Sequence, residues 1–123
     1  MHCFAWTAVK EATPADWDAF YQASDALPSK IKGVTKVWYG ELASPLNQVS
    51  LGKVAPEEFK KFQAGETVAA EIRRVNRQYG MCMEMADAAA LKAYDSDPYH
   101  KVWEAAYTKV RVDGTTTFNI LGK

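Results

Sequence analysis

The first nine residues constrain the fold most. From His2 to Val9 the chain alternates with period two, placing His2, Phe4, Trp6 and Ala8 on one side and Cys3, Ala5, Thr7 and Val9 on the other. Both sides are largely apolar. Such a strand is buried on both faces, so it belongs inside a sheet that is covered above and below. The segments that follow alternate helix and strand. Thr13, Pro14 and Asp16 supply an N-cap, a first helical position and a capping-box acid, which predicts a helix over 14–27. Trp17, Phe20, Tyr21 and Leu27 share one face of it, and Ser24 interrupts the stripe with a small hydroxyl able to bond a carbonyl one turn back. Leu27-Pro28 ends this helix, Gly33 marks a turn, and Val34 to Leu42 reads as a second strand.

Residues 43–55 read as a loop, with Pro45, Asn47 and Gly52. Pro56 to Gln78 reads as helical, divided at Gly65, with Phe59 and Phe62 on one turn and Val68, Ile72 and Val75 on a later face. Arg73, Arg74 and Arg77 then fall near a helix C-terminus, where cations suit the dipole; the other reading is an anion-binding rim over a pocket. Gly80 to Ala86 is a third strand. Met81, Met83 and Met85 share one side of it, as adaptable core or a plastic ligand wall, and Cys82 and Glu84 share the other. Glu84 is a carboxylate in an apolar strand, which calls for a wet face or a cavity. Asp87 caps a helix over 88–94. Asp97-Pro98 restarts a helix whose apolar face is Val102, Trp103, Ala106, Tyr107 and Val110. Asp113-Gly114 turns the chain into a last strand, Thr115 to Leu121.

This order predicts one α+β domain over 1–123, a ferredoxin-like β-α-β-β-α-β fold with a helical insert at about 43–78 between strands 2 and 3. Helices on one face leave the other face of the sheet bare. Because the strands carry large apolar groups on both sides, that face needs cover, and a second copy of the chain is the simplest cover. The expected assembly is a homodimeric α/β barrel.

Charge excludes several partners. Fifteen basic and fifteen acidic residues cancel, so neither nucleic acid nor an anionic membrane is an expected partner. No apolar run approaches the ~20 residues that span a bilayer. Met1 to Trp6 lacks the basic and long apolar regions of a signal peptide, which predicts a cytoplasmic protein with Cys3 and Cys82 reduced and packed as small apolar residues. No Cys or His pair has metal-ligand spacing, so no metal or other cofactor is expected.

The candidate chemistry sits in Tyr94-Asp95-Ser96-Asp97-Pro98-Tyr99-His100. With Asp97 as N-cap and Pro98 as N1, His100 falls at N3. There the positive end of the helix dipole favours a neutral imidazole, able to take a proton at pH 7. Tyr94, across the turn, brings a phenol to it. His100 and Tyr94 are the candidate acid–base pair. The bland account makes His100 a fastener of the helix start and Tyr94 a packing residue.

The chain resembles the stress-responsive dimeric α/β-barrel (Dabb) family. The matching residues are His2, the run Leu27 to Val34, Trp38-Tyr39-Gly40, Tyr79-Gly80, Leu91-Lys92-Ala93-Tyr94 and Asp97-Pro98-Tyr99-His100, over about 1–42 and 79–121. The resemblance implies a small dimer with two sheets closed into a barrel. Some members of that family are polyketide cyclases, of the olivetolic acid type, that use no cofactor. On that likeness His100 is the general base, Tyr94 assists it, and His2 lines the cavity, while Asp97 stands where the motif has a first histidine. The expected ligand is an apolar or aromatic carbonyl compound, with Phe4, Trp6, Trp38, Met81, Met83 and Glu84 beside His2 as candidate walls. Three functions are weighed: a small-molecule-binding dimer, a cofactor-independent cyclase or lyase, and a cofactor-independent monooxygenase.

Overall fold

The computed structural model describes residues 1–122. Its elements are β1 (His2–Trp6), α1 (Pro14–Lys30), β2 (Val34–Leu51), α2 (Pro56–Gln63), β3 (Ile72–Met85), α3 (Ala88–Tyr94), α4 (Pro98–Val110) and β4 (Thr116–Asn119). The strands form one antiparallel sheet in the order β2-β3-β1-β4. This is the ferredoxin-like α+β fold. No helix is long and apolar enough to cross a membrane among the described residues.

Register sorts the strand residues by face. His2, Phe4 and Trp6 of β1 pair with Met83, Met81 and Tyr79 of β3, and this set meets the helices. Cys3 and Ala5 pair with Cys82 and Gly80 and point the other way. Under the helices, Trp6, Phe20, Leu27, Met83 and Val110 are fully buried and form the centre of the core. Fully burying one such side chain contributes about 1.5–3 kcal/mol. Ser24, the polar interruption in the α1 stripe, is also fully buried, and its hydroxyl accepts the indole N–H of Trp103 at 3.0 Å, tying α1 to α4. That bond replaces the one to a carbonyl of its own helix expected from sequence.

Capping follows the sequence. Thr13 and Asp16 make a reciprocal capping box at the start of α1. Asp87 accepts from the Ala90 amide, and Asp97 accepts from the Tyr99 amide at 2.8 Å.

Four expectations are corrected. Helix α1 does not stop at Leu27-Pro28 but runs through Pro28 to Lys30. Pro28 lies in the last turn, where its missing N–H forfeits one bond, and fully buried Leu27 holds the turn against the core. The insert at 43–78 holds more strand than helix. Helix α2 spans Pro56–Gln63 only, and Gly65, at φ +85°, ends it in a left-handed turn. Beyond that turn, Ile72 to Arg77 pair with Leu51 to Leu46, extending β2 and β3 into a two-stranded arm. Ile72 and Val75 therefore belong to a strand, and so do Arg73, Arg74 and Arg77; no helix dipole acts on them. Arg74 donates to Asn47 across the arm, and Arg77 donates to Thr7 and Thr116. Finally, Cys3 and Cys82 are joined as a disulfide rather than reduced. They stand directly opposite on adjacent strands with Cα atoms 4.1 Å apart, a juxtaposition created by register alone.

Candidate functional site

The turn between α3 and α4 builds the site. Tyr94 is the last residue of α3, and three residues later Asp97 and Pro98 begin α4. The His100 amide donates to the Asp97 carbonyl at 3.0 Å, which fixes the first turn. This places the Tyr94 ring edge-on to His100, with centroids 4.7 Å apart and planes at 83°. Asp95 Oδ1 lies 3.8 Å from His100 Nε2. From the sheet, His2 brings a second imidazole to within 5.7 Å of the Tyr94 ring. Its Nδ1 bonds to Asn119 Oδ1 of β4 at 2.8 Å; with Nδ1–H donating, Nε2 is left as an acceptor.

These groups line a cavity of about 290 Å³ between sheet and helices. His2 and Phe4 form its sheet wall, with Thr117 of β4 beside them. Tyr94, Asp95 and His100 line it from the turn between α3 and α4. Trp103, Glu104 and Tyr107 continue the wall along α4, and Arg111 and Thr115 follow beyond its end. The aromatic lining is continuous. Phe4 meets Trp103 and Tyr107 edge-on, and Trp103 stacks on Tyr107 at 4.8 Å.

Four buried polar side-chain atoms lack a partner among the described residues, and the Tyr94 hydroxyl is the phenol among them. It is buried and has no hydrogen-bond partner among the described residues. Burial holds its ionisation well above the ordinary tyrosine range, and the carboxylates of Asp95 and Glu104 push it further the same way. Tyr94 is therefore a permanent neutral O–H donor lacking an acceptor. Tyr107, also pushed up by burial, differs in that its hydroxyl pairs with Thr115 at 2.9 Å. A carbonyl or hydroxyl oxygen on a flat molecule would satisfy Tyr94 while the rings hold its faces.

The structure brings together His2, Phe4, Tyr94 and His100. The other candidates lie elsewhere. Trp6, Met81 and Met83 are packed into the core and line no part of this cavity. Trp38 and Glu84 are on the opposite face of the sheet, where Lys36 caps the Trp38 ring and Thr35 donates to the Glu84 carboxylate. A β-sheet cannot bring residues from both its faces into one site. Sequence reasoning missed Glu104, Arg111, Thr115 and Thr117, and read Trp103 and Tyr107 only as a helix's apolar face. Arg111 was within reach, because Trp103, Tyr107 and Arg111 repeat at intervals of four and fall on one helix face.

The bare face carries a second concavity of about 430 Å³, lined by Cys3, Ala5, Trp38, Leu42, Cys82 and Phe118. Leu42 lies across Gly80, where any Cβ would stand 2.7 Å from its Cδ2. Trp38 is 41% exposed and Phe118 48%.

The fold and this cavity define a ferredoxin-like α+β protein with an aromatic, histidine-flanked pocket under its helices. No family model and no curated protein matches the sequence. Solved structures do match in fold. A dimeric protein of unknown function and ferredoxin-like fold from Bacteroides fragilis NCTC 9343 aligns with a TM-score of 0.55 at 14% identity, over 97% of this chain and 93% of that one. A dimeric ferredoxin-like protein of unknown function from Thermobifida fusca YX gives 0.56 at 16% identity, over 97% and 88%. Another from Jannaschia sp. CCS1 gives 0.55 at 17% identity, over 97% and 96%.

Proposed function

We propose that this protein is a homodimer of the Dabb kind that binds a flat, largely apolar small molecule bearing a carbonyl or phenol oxygen. The observation that carries the reading is an aromatic cavity lined by Tyr94 and two imidazoles, with the Tyr94 hydroxyl buried and lacking a partner among the described residues. A buried unsatisfied hydroxyl costs about 1–3 kcal/mol, so a ligand that supplies an acceptor recovers that penalty.

The dimer reading rests on the other face of the sheet. Trp38, Leu46 and Phe118 are two-fifths or more exposed there, around a concavity with mostly apolar walls. A second copy related by a twofold axis covers this face with the same groups, closing two sheets into a barrel. The three similar folds are themselves described as dimeric.

A cyclase-like proton transfer is the second reading, favoured by the edge-on contact of Tyr94 and His100. In it His100 removes a proton from the carbon beside the ligand carbonyl, and Tyr94 donates a hydrogen bond to the enolate oxygen. Asp95 then faces the imidazolium. A base so placed contributes roughly 10²–10⁴-fold, which deuterium exchange at that carbon in D₂O would report.

Binding is tested by following the ring signals of His2 and His100 by NMR while titrating 4-hydroxyacetophenone and related aryl ketones. The expected result is a saturable shift of both rings, weakened roughly 2–10-fold by Tyr94→Phe. Ring signals that stay put through the whole panel would overturn the reading.

A further inference from the structure

Arg111 is the one cavity residue with an arginine fork, and its position is unusual. The guanidinium lies over the Tyr107 ring, 4.9 Å from its centroid, and the side chain is only 18% exposed. Its Nε is buried with no hydrogen-bond partner among the described residues. Its ion-pair partner, Asp113, is fully solvent-exposed and stands at 4.0 Å, the outer limit of contact. Arg77 nearby shows what a structural arginine looks like in this fold, with Nε donating to Thr116 and Nη1 to Thr7. Arg111 is thus a largely buried cation over an aromatic ring, whose bonding capacity is largely unused. Guanidinium forks in that state receive carboxylates, two parallel N–H bonds to two oxygens.

The charges of the cavity are segregated along α4. Asp95 and Glu104 are the carboxylates that act on Tyr94, and Asp95 also faces His100. Arg111 follows Glu104 by seven residues, about 10 Å along the helix axis. The side-chain charges therefore favour an anion at the Arg111 end and repel it from the Tyr94 end, against the opposite and weaker pull of the α4 dipole. Between them runs the ring wall of Trp103 and Tyr107.

We infer that the ligand of this cavity is an aromatic or arylalkyl carboxylate, its acid group on Arg111 and its neutral carbonyl or phenol oxygen at Tyr94. This rests on the binding role proposed for the same cavity and adds the ligand's class and orientation. Arg111 acts as a specificity-determining residue.

The test uses a matched pair of probes, 4-acetylbenzoate and its neutral amide, 4-acetylbenzamide, titrated calorimetrically into the wild type, Arg111→Gln and Arg111→Lys. The wild type should prefer the acid roughly 10–100-fold. That preference should fall as salt rises, vanish in Arg111→Gln, and partly return in Arg111→Lys, with Arg111→Gln weakening the acid more than the amide. Equal binding of acid and amide by the wild type overturns the inference and leaves the cavity role standing; this arm needs no variant to fold. A preference that survives Arg111→Gln also overturns it. If neither probe binds the wild type, the cavity role fails and the inference falls with it.

Discussion

Replacing Tyr94 by Phe should make the empty protein more stable and the ligand-bound protein weaker. The hydroxyl is buried and unpaired, so folding strips it of water without return. That penalty is about 1–3 kcal/mol. Deleting the oxygen removes the penalty and leaves a gap of one atom, which costs part of the gain, so a net stabilisation of about 0.5–2 kcal/mol is expected. For a chain of this length each kcal/mol moves the melting point by roughly 3–6 °C. The ring itself must stay, because it packs on His2 and His100. The assay is urea denaturation of both forms without ligand, at one protein concentration because a dimer's stability depends on it. Repeating it with saturating 4-hydroxyacetophenone should shrink or reverse the difference. A Tyr94→Phe protein destabilised by more than about 1 kcal/mol without ligand would refute the reasoning, since it would mean that the hydroxyl already makes a bond.

Other sites give simpler expectations. Ser24→Ala should cost about 1–3 kcal/mol in denaturant melts, because it strands the buried Trp103 N–H; a change under ~0.3 kcal/mol would contradict the pairing. Reducing the Cys3–Cys82 disulfide, which links positions 79 residues apart, should lower stability by about 2–4 kcal/mol, with thiol titration finding no free cysteine beforehand. Two free thiols in the native, unreduced protein would contradict the pairing. Phe118→Lys on the bare sheet face should convert the dimer to monomer in sizing with light scattering, with the helix content retained in circular dichroism; a wild type that is already monomeric would rule out the barrel assembly.

What could be read in the sequence was local. Caps announced themselves through side chains within three residues of the groups they bond, so Thr13, Asp87 and Asp97 placed three helix starts correctly. The Asp97-Pro98 restart also fixed His100 at N3, and with it the approach of Tyr94. What could not be read was set by pairing over long distances. The arm at 43–78 carries helix-compatible spacing at Val68, Ile72 and Val75, and only its register with Leu46 to Leu51 makes it strand. The disulfide has the same origin, since nothing near Cys3 points to Cys82. Candidate walls failed by face: Trp38 and Glu84 are near His2 in the fold but separated from it by the thickness of the sheet. Arg111 lay one residue beyond the end of a stripe in which Trp103, Tyr107 and Val110 are buried and Val102 is exposed.

The most direct test of the cavity as a binding site is a crystal structure grown with saturating 4-hydroxyacetophenone. The account predicts the compound in the cavity lined by Phe4, Tyr94, Trp103 and Tyr107, with an oxygen at about 2.7 Å from the Tyr94 hydroxyl. A cavity that holds only water at saturation, with the compound absent or seated on the open face of the sheet, would contradict it.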